Sequence, residues 1–401
     1  MVGRTIIQQY QVAKLGISSI RLTRVSIPLT MVHAGSMYVI QKTERSVIEL
    51  ALENGVTGLG ETWGTPEVYA LAQRFAKDWI GKDALDRFAL REMTLGKTSY
   101  DNRFGRNGLA TLAGLDLAAW DATARSLKMS LAELIGARKR EIIDVVSTLP
   151  AAILPKAVSR KELTAHLDVL SNTRLVVDFA LEQVRKSGFR SFKLKSAAYS
   201  PEWDWKLLNE LREAMPAARL RFDPNANYGT ATATALCRRL DALGLEFFED
   251  PTGELEGIAR LKAAVKTPVA TNMWVVKDEH LVPAIRRKAV DVVLGDLFMW
   301  GGIDAWRRMA RVAHAYGLKP ALHSVYETGI ATVANLHLAS ALSEVEYPND
   351  SGLHFLSADV VAEPLPVVDG KMQLPKGPGL GITLDPIKLE KLTLETAEIR
   401  R

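Results

Sequence analysis

Seven polar residues stand at the ends of short apolar or β-branched runs, and their types are complementary. They are Lys193 and Lys195 in Phe192-Lys193-Leu194-Lys195, Asp223 after Leu220-Arg221-Phe222, Glu249 after Phe247-Phe248, Asn272 after Val269-Ala270-Thr271, Asp296 after Val293-Leu294-Gly295, and His323 after Ala321-Leu322. From Lys195 onward they recur every 23–28 residues, about one strand plus one crossover helix. One polar strand end is commonly a helix cap, whereas an ordered series at one spacing points to a shared site. Asp223, Glu249 and Asn272 offer two anionic oxygens and one neutral oxygen, a hard donor set suited to Mg²⁺. With no Cys or paired His beside them, zinc is a poor match. Lys193 and Lys195, two apart on a strand, face one side. Burial of both beside a metal is expected to lower their affinity for protons, making one usable as a base. Asp296 and His323 close successive strands, which lets the carboxylate fix the imidazole tautomer and raise its basicity. Such a set is equipped for acid/base chemistry beside a metal ion.

The positions of these residues require a parallel sheet whose strand ends converge. From Ile142 to His323, β-rich runs alternate with amphipathic stretches long enough for crossover helices; Ala231 to Leu243, stopped by Gly244, is an example. The fold class expected is α/β, a (β/α)7β TIM-like barrel, since no Gly-rich phosphate loop follows the first strand as a doubly wound sheet would favour. Before it, Ile20–Val25, Tyr38–Gln41 and Ser46–Leu50 read as strands, and the apolar series Leu109, Leu112, Leu115, Leu117, Trp120 reads as one long helix ending before Gly136. Strands followed by segregated helices predict an α+β capping domain. The divisions expected are residues 1–137 for the cap, 138–375 for the barrel, and 376–401 for a segment returning to the cap.

Composition narrows the function classes. A chain of 401 residues exceeds a single core, consistent with two domains. The net charge is +5, from 51 Lys and Arg against 46 Asp and Glu, with no basic stripe of the kind that binds nucleic acid. Cys237 stands alone, which rules out an internal disulfide and suits a buried structural thiol. No run approaches a membrane span and the first residues lack the apolar core of a secretory signal, so a cytoplasmic enzyme is expected.

These residues with their flanks resemble the enolase superfamily, in its mandelate racemase and glucarate dehydratase branch. The resemblance rests on Phe192–Lys195, Phe222-Asp223-Pro224-Asn225-Ala226-Asn227, Phe248-Glu249-Asp250-Pro251, Pro268–Asn272, Asp296, His323 and the terminal Gly377-Pro378-Gly379-Leu380-Gly381-Ile382. It implies Mg²⁺ on Asp223, Glu249 and Asn272, and a base, Lys195, on one substrate face with Lys193 near the carboxylate. His323, oriented by Asp296, would serve the other face. Asn225, Thr148, Ser324 and His33 are the substrate contacts implied, with the segment His33–Tyr38 as a lid and Arg103, Phe104 and Arg106 within reach from the cap. The absence of a Lys in Leu294-Gly295-Asp296-Leu297 separates the chain from the muconate cycloisomerase pattern, and Asn272 as third ligand resembles glucarate dehydratases. Ser324-Val325-Tyr326-Glu327 departs from that group, so glucarate itself is not implied. The expected activity is dehydration of an acid sugar to a keto acid, with racemisation or epimerisation at the same two bases as the alternative. A small-molecule substrate and a homo-oligomer are further implied, with neither nucleic acid nor membrane as partner.

Overall fold

A computed structural model of the protein describes residues 14–96, 105–154 and 173–400. Three strands, β1 (Ile17–Ala34), β2 (Val39–Leu52) and β3 (Thr57–Trp63), build an antiparallel sheet in sequence order. The segments expected as two strands, Tyr38–Gln41 and Ser46–Leu50, are joined in β2. Lys42 and Thr43 between them stay paired, to Pro28 and Ile27 of β1, so the polar interlude is part of one long hairpin.

Helix Gly105–Ser126 lies across this sheet, buried along nearly its whole length. Glycines permit that approach: a Cβ on Gly60 would lie 2.1 Å from the Gly114 carbonyl oxygen, and one on Gly58 would lie 2.2 Å from that of Ala118. The helix does not continue to the residue before Gly136. It stops at Ser126, Lys128 takes a left-handed φ of 56°, and a new short helix Leu131–Ile135 starts from a capping box of Ser130 and Glu133. A local capping signal thus overrides the continuous apolar pattern.

The second unit is a barrel of eight parallel strands. They are β4 (Ile142–Leu149), then, after the short β5 (Ile153–Leu154), β6 (Ser191–Lys195), β7 (Arg219–Asp223), β8 (Phe247–Glu249), β9 (Val269–Thr271), β10 (Val292–Asp296), β11 (Lys319–His323) and β12 (Asn349–Ser351). Hydrogen bonding runs β11-β10-β9-β8-β7-β6-β4-β12, so the ring is nearly closed, with its seam between β11 and β12. Helices join successive strands, as a parallel order demands. One of them, Thr230–Leu240, carries Cys237 fully buried and ends in a 3-10 turn, Asp241–Leu243, before Gly244. After β13 (Lys371–Gln373), which pairs with β4, the chain returns to the cap, where β14 (Thr393–Arg400) pairs antiparallel with β1. One continuous apolar cluster runs from Val25, Leu117 and Trp120 of the cap into Phe192, Phe222, Val269 and Leu322 of the barrel, beside a second within the cap around Ile20, Ile48 and Trp79. Among the described residues, no helix is long and apolar enough to cross a membrane.

Candidate active site

Register fixes which side chains meet. Lys195 of β6 stands beside Asp223 of β7, and Asp296 of β10 beside His323 of β11, each at the C-terminal end of its strand. Lys193, Lys195, Asp223, Glu249, Asn272, Asp296 and His323 are all buried there. The structure brings all seven to one end of the barrel.

The charges are held in pairs. Lys195 Nζ donates to Asp223 Oδ2, and Lys193 Nζ donates to Asp350 Oδ2 while lying 3.3 Å from Glu249 Oε1. Burial pulls both ammonium groups down, but Asp223 for Lys195, and Asp350 with Glu249 for Lys193, outweigh it and hold them above the ordinary lysine value. Burial thus acts in the expected direction, and the carboxylate that went into the barrel with each ammonium sets the net one. Burial and the Asp223 charge leave Glu249 above the usual carboxylate range.

Asp296 divides its oxygens. Oδ1 accepts from the backbone N–H of Phe298 at 2.8 Å and of Met299 at 3.1 Å, capping the short helix Leu297–Trp300, while Oδ2 lies 3.1 Å from His323 Nδ1. His323 Nε2 is 2.6 Å from Asn272 Nδ2. A neutral imidazole with its proton on Nδ1 satisfies both contacts, donating to Asp296 and accepting from the amide. Burial and Lys193 pull the imidazole down, yet the hydrogen bond and charge of Asp296, with Glu249, leave it above the ordinary histidine value.

The same arrangement leaves oxygens over. Glu249 Oε2, Asn272 Oδ1 and Asn225 Oδ1 are buried without a hydrogen-bond partner, although Glu249 Oε2 is 3.2 Å from the Lys193 ammonium. Buried orphan oxygens are costly unless something else meets them. Asp250 steadies this side: Oδ2 accepts from Asn272 N at 2.8 Å and Met273 N at 3.2 Å. Oxygen donors on Asp223, Glu249 and Asn272 fit a hard divalent cation. A second grouping, Glu249, His323 and Asp350, also has ligand atoms within 4.8 Å of one another. Its lone pairs are more fully engaged, since Asp350 is shared by Lys193 and Arg221, and His323 by Asp296 and Asn272.

The implied substrate contacts are dispersed around this centre. Thr148 of β4 is in register with Lys193. Asn225, at φ 49°, donates its backbone N–H to Asp223 Oδ1 at 3.0 Å. Ser324 Oγ donates to Glu327. His33 is fully buried, its Nδ1 hydrogen-bonded to the Tyr326 hydroxyl, and burial drives its pKa to about 3, leaving Nε2 unpartnered. Ser36 Oγ, on the same segment, donates to the Pro224 carbonyl at 3.2 Å. Among the described residues Arg106 reaches Met299 Sδ, at 3.6 Å; Arg103 and Phe104 lie outside the described residues.

Sequence reading missed Asp350 and Arg221. Asp350 follows His323 by 27 residues, the interval of the rest of the series, and that spacing was the available signal. Arg221 Nη1 donates to Asp350 Oδ1 at 2.9 Å and its Nε to Glu246 Oε2 at 2.6 Å, over the Phe247 ring.

Two family models match stretches of this chain. Residues 18–136 match the family described as mandelate racemase / muconate lactonizing enzyme, N-terminal domain, and residues 175–388 match the enolase C-terminal domain-like family. A probable glucarate dehydratase of Streptomyces coelicolor is 29% identical over 86% of this chain and 83% of its own. Muconate cycloisomerase 1 of Rhodococcus opacus is 29% identical over 92% and 96%. An enolase of Pseudomonas fluorescens, solved with bound magnesium, potassium and tartrate, superposes with a TM-score of 0.83 at 26% identity, over 94% of this chain and 92% of that one.

Proposed function

This chain belongs to the enolase superfamily, in its mandelate racemase and glucarate dehydratase branch, and on that premise we propose that it is a Mg²⁺-dependent acid-sugar dehydratase. The observation that carries the proposal is the pairing of two proton-transfer groups, Lys195 and His323, around the free oxygens of Glu249 and Asn272. Tartrate, bound by the Pseudomonas relative together with magnesium, is a dihydroxy diacid of the same chemical class. The strand end Gly295-Asp296 lacks the Lys of the cycloisomerase pattern, which favours elimination over lactone chemistry.

Asp223, Glu249 and Asn272 would hold the cation. When bound, it supplies Lewis-acid stabilisation of the charge developing on the substrate carboxylate and draws the Asp223 and Glu249 charges away from the lysines. Lys193 meets the same developing charge with its ammonium. Lys195 or His323, according to configuration, takes the proton from the carbon next to the carboxylate, giving an enediolate. His323 in its imidazolium form then gives a proton to the β-hydroxyl, the C–O bond breaks, water leaves, and the enol tautomerises to a 2-keto acid. Asp296 keeps the imidazole oriented through both transfers.

A second reading, racemisation or epimerisation of a hydroxy acid, is favoured by the presence of a base on each side and shares the first step. Incubation with aldarates and aldonates plus Mg²⁺ separates the two. Keto-acid formation is the expected result; solvent deuterium incorporated with inversion and no keto acid would replace dehydration by epimerisation.

A further inference from the structure

Five residues, Ser324 to Thr328, connect His323 to helix Gly329–Ala341, and the cap completes their hydrogen bonding. Arg45 of β2 is 5% exposed and Glu61 of β3 is fully buried, with Arg45 Nε 3.6 Å from Glu61 Oε1. Arg45 Nε donates to the Tyr326 carbonyl at 3.2 Å, and its Nη2 donates to the carbonyl of Val325. Glu61 accepts from Thr328 N at 3.0 Å, Thr328 Oγ1 at 2.6 Å and Ala331 N at 3.0 Å. One cap residue thus meets two carbonyls before the turn, and the other meets two amides and a hydroxyl after it.

The turn needs this support. Tyr326 has φ 50°, a left-handed conformation that a bulky residue keeps only when its surroundings over-determine it. Gly352, just after β12, closes in, since a Cβ there would lie 2.5 Å from Tyr326 N. Glu327 accepts from Val325 N at 2.6 Å and, as an acceptor, can satisfy neither carbonyl. Without Arg45, the Val325 and Tyr326 carbonyls would lose their donor in a buried setting. Without Glu61, the amides of Thr328 and Ala331 would lose their acceptor at the N-terminus of a fully buried helix of 13 residues.

We propose that Arg45 and Glu61 are positioning residues of the active site, fixing from the cap the turn after His323 and thereby the substrate face that His323 serves. The proposal rests on the two-base reading above. Lys195, held by Asp223 of β7, stands on β6, three strands from β11 around the ring across the seam, and is reached by another route.

The test uses the full chain with Mg²⁺ and the variants Glu61→Gln, Arg45→Met and Arg45→Lys. Amide hydrogen exchange across residues 324–331 is expected to quicken about tenfold or more, while strands β6 to β8 stay unchanged. Exchange of the α-proton is then followed on a pair of acid sugars epimeric at that carbon. The His323-facing epimer should slow about thirtyfold with KM little altered, the Lys195-facing epimer should stay within about threefold, and Arg45→Lys should recover part of the loss. Equal slowing on both faces, or unchanged amide exchange in 324–331, would overturn the proposal. Should Glu61→Gln not fold, Thr328→Val removes one of the three donors to the same carboxylate and is read in the same two ways. If the unaltered protein exchanges no α-proton on any acid sugar, the dehydratase reading fails by itself, and amide exchange alone decides for or against the clamp.

Discussion

Asp350 shares its oxygens between Lys193 and Arg221, both buried, so Asp350→Asn would leave two cations short of charge inside the barrel. Removing one partner of a buried pair costs about 3–5 kcal/mol, which urea denaturation would register as a lower midpoint. A change below about 1 kcal/mol would mean that the cations find other partners. Asp296→Asn makes the opposite case. Asn caps a helix about as well as Asp, so the helix Leu297–Trp300 and the denaturation midpoint should hold while keto-acid formation falls at least about a hundredfold. If stability and activity fell together, the carboxylate would be a cap and nothing more. At this scale the seven polar strand ends were legible because each closes an apolar run at a regular interval. The proton affinity of the lysines was not, because the decisive partners, Asp223 and Asp350, lie 28 and 157 residues away along the chain.

The elements that carry these residues depend on close backbone approach. Gly60→Ala would drive a methyl into the Gly114 carbonyl and force β3 off helix Gly105–Ser126, so a loss of about 2 kcal/mol or more is expected in thermal or chemical unfolding. A variant with unchanged stability would show that the sheet and helix slide apart freely. Alternating strands and helices were readable from periodicity, as was the stop at Gly244. The break after Ser126 was not, because the apolar pattern continues through a restart set by Ser130 and Glu133. β2 was read as two pieces because its middle carries Lys42 and Glu44, whose polarity says nothing about backbone pairing.

For the molecule as a whole, His337 joins parts distant in sequence. Its Nδ1 accepts from Ala132 N at 3.1 Å and its Nε2–H donates to the Leu380 carbonyl at 3.1 Å, tying helix Gly329–Ala341 to the cap's last helix and the terminal segment. Burial lowers its pKa from 6.5 to about 4. An unfolded chain therefore takes up this proton first, so the contribution is complete above about pH 6.5 and is lost as pH falls toward 4. His337→Asn should lower stability by about 1–2 kcal/mol at pH 7.5, and its deficit relative to the unaltered protein should shrink steadily toward pH 4. A deficit constant across that range would show that the imidazole binds its proton equally well in the folded and unfolded states.

The contacts of Arg45 and Glu61 also bear on inheritance and engineering. Because two cap side chains finish the peptide hydrogen bonding of a barrel loop, the domains are not interchangeable parts. A chimera that keeps this barrel but takes a cap lacking that arginine and glutamate would fold its eight strands and still present a misshapen mouth. Exchange of substrate range by recombination is open only to caps that bring the pair with them.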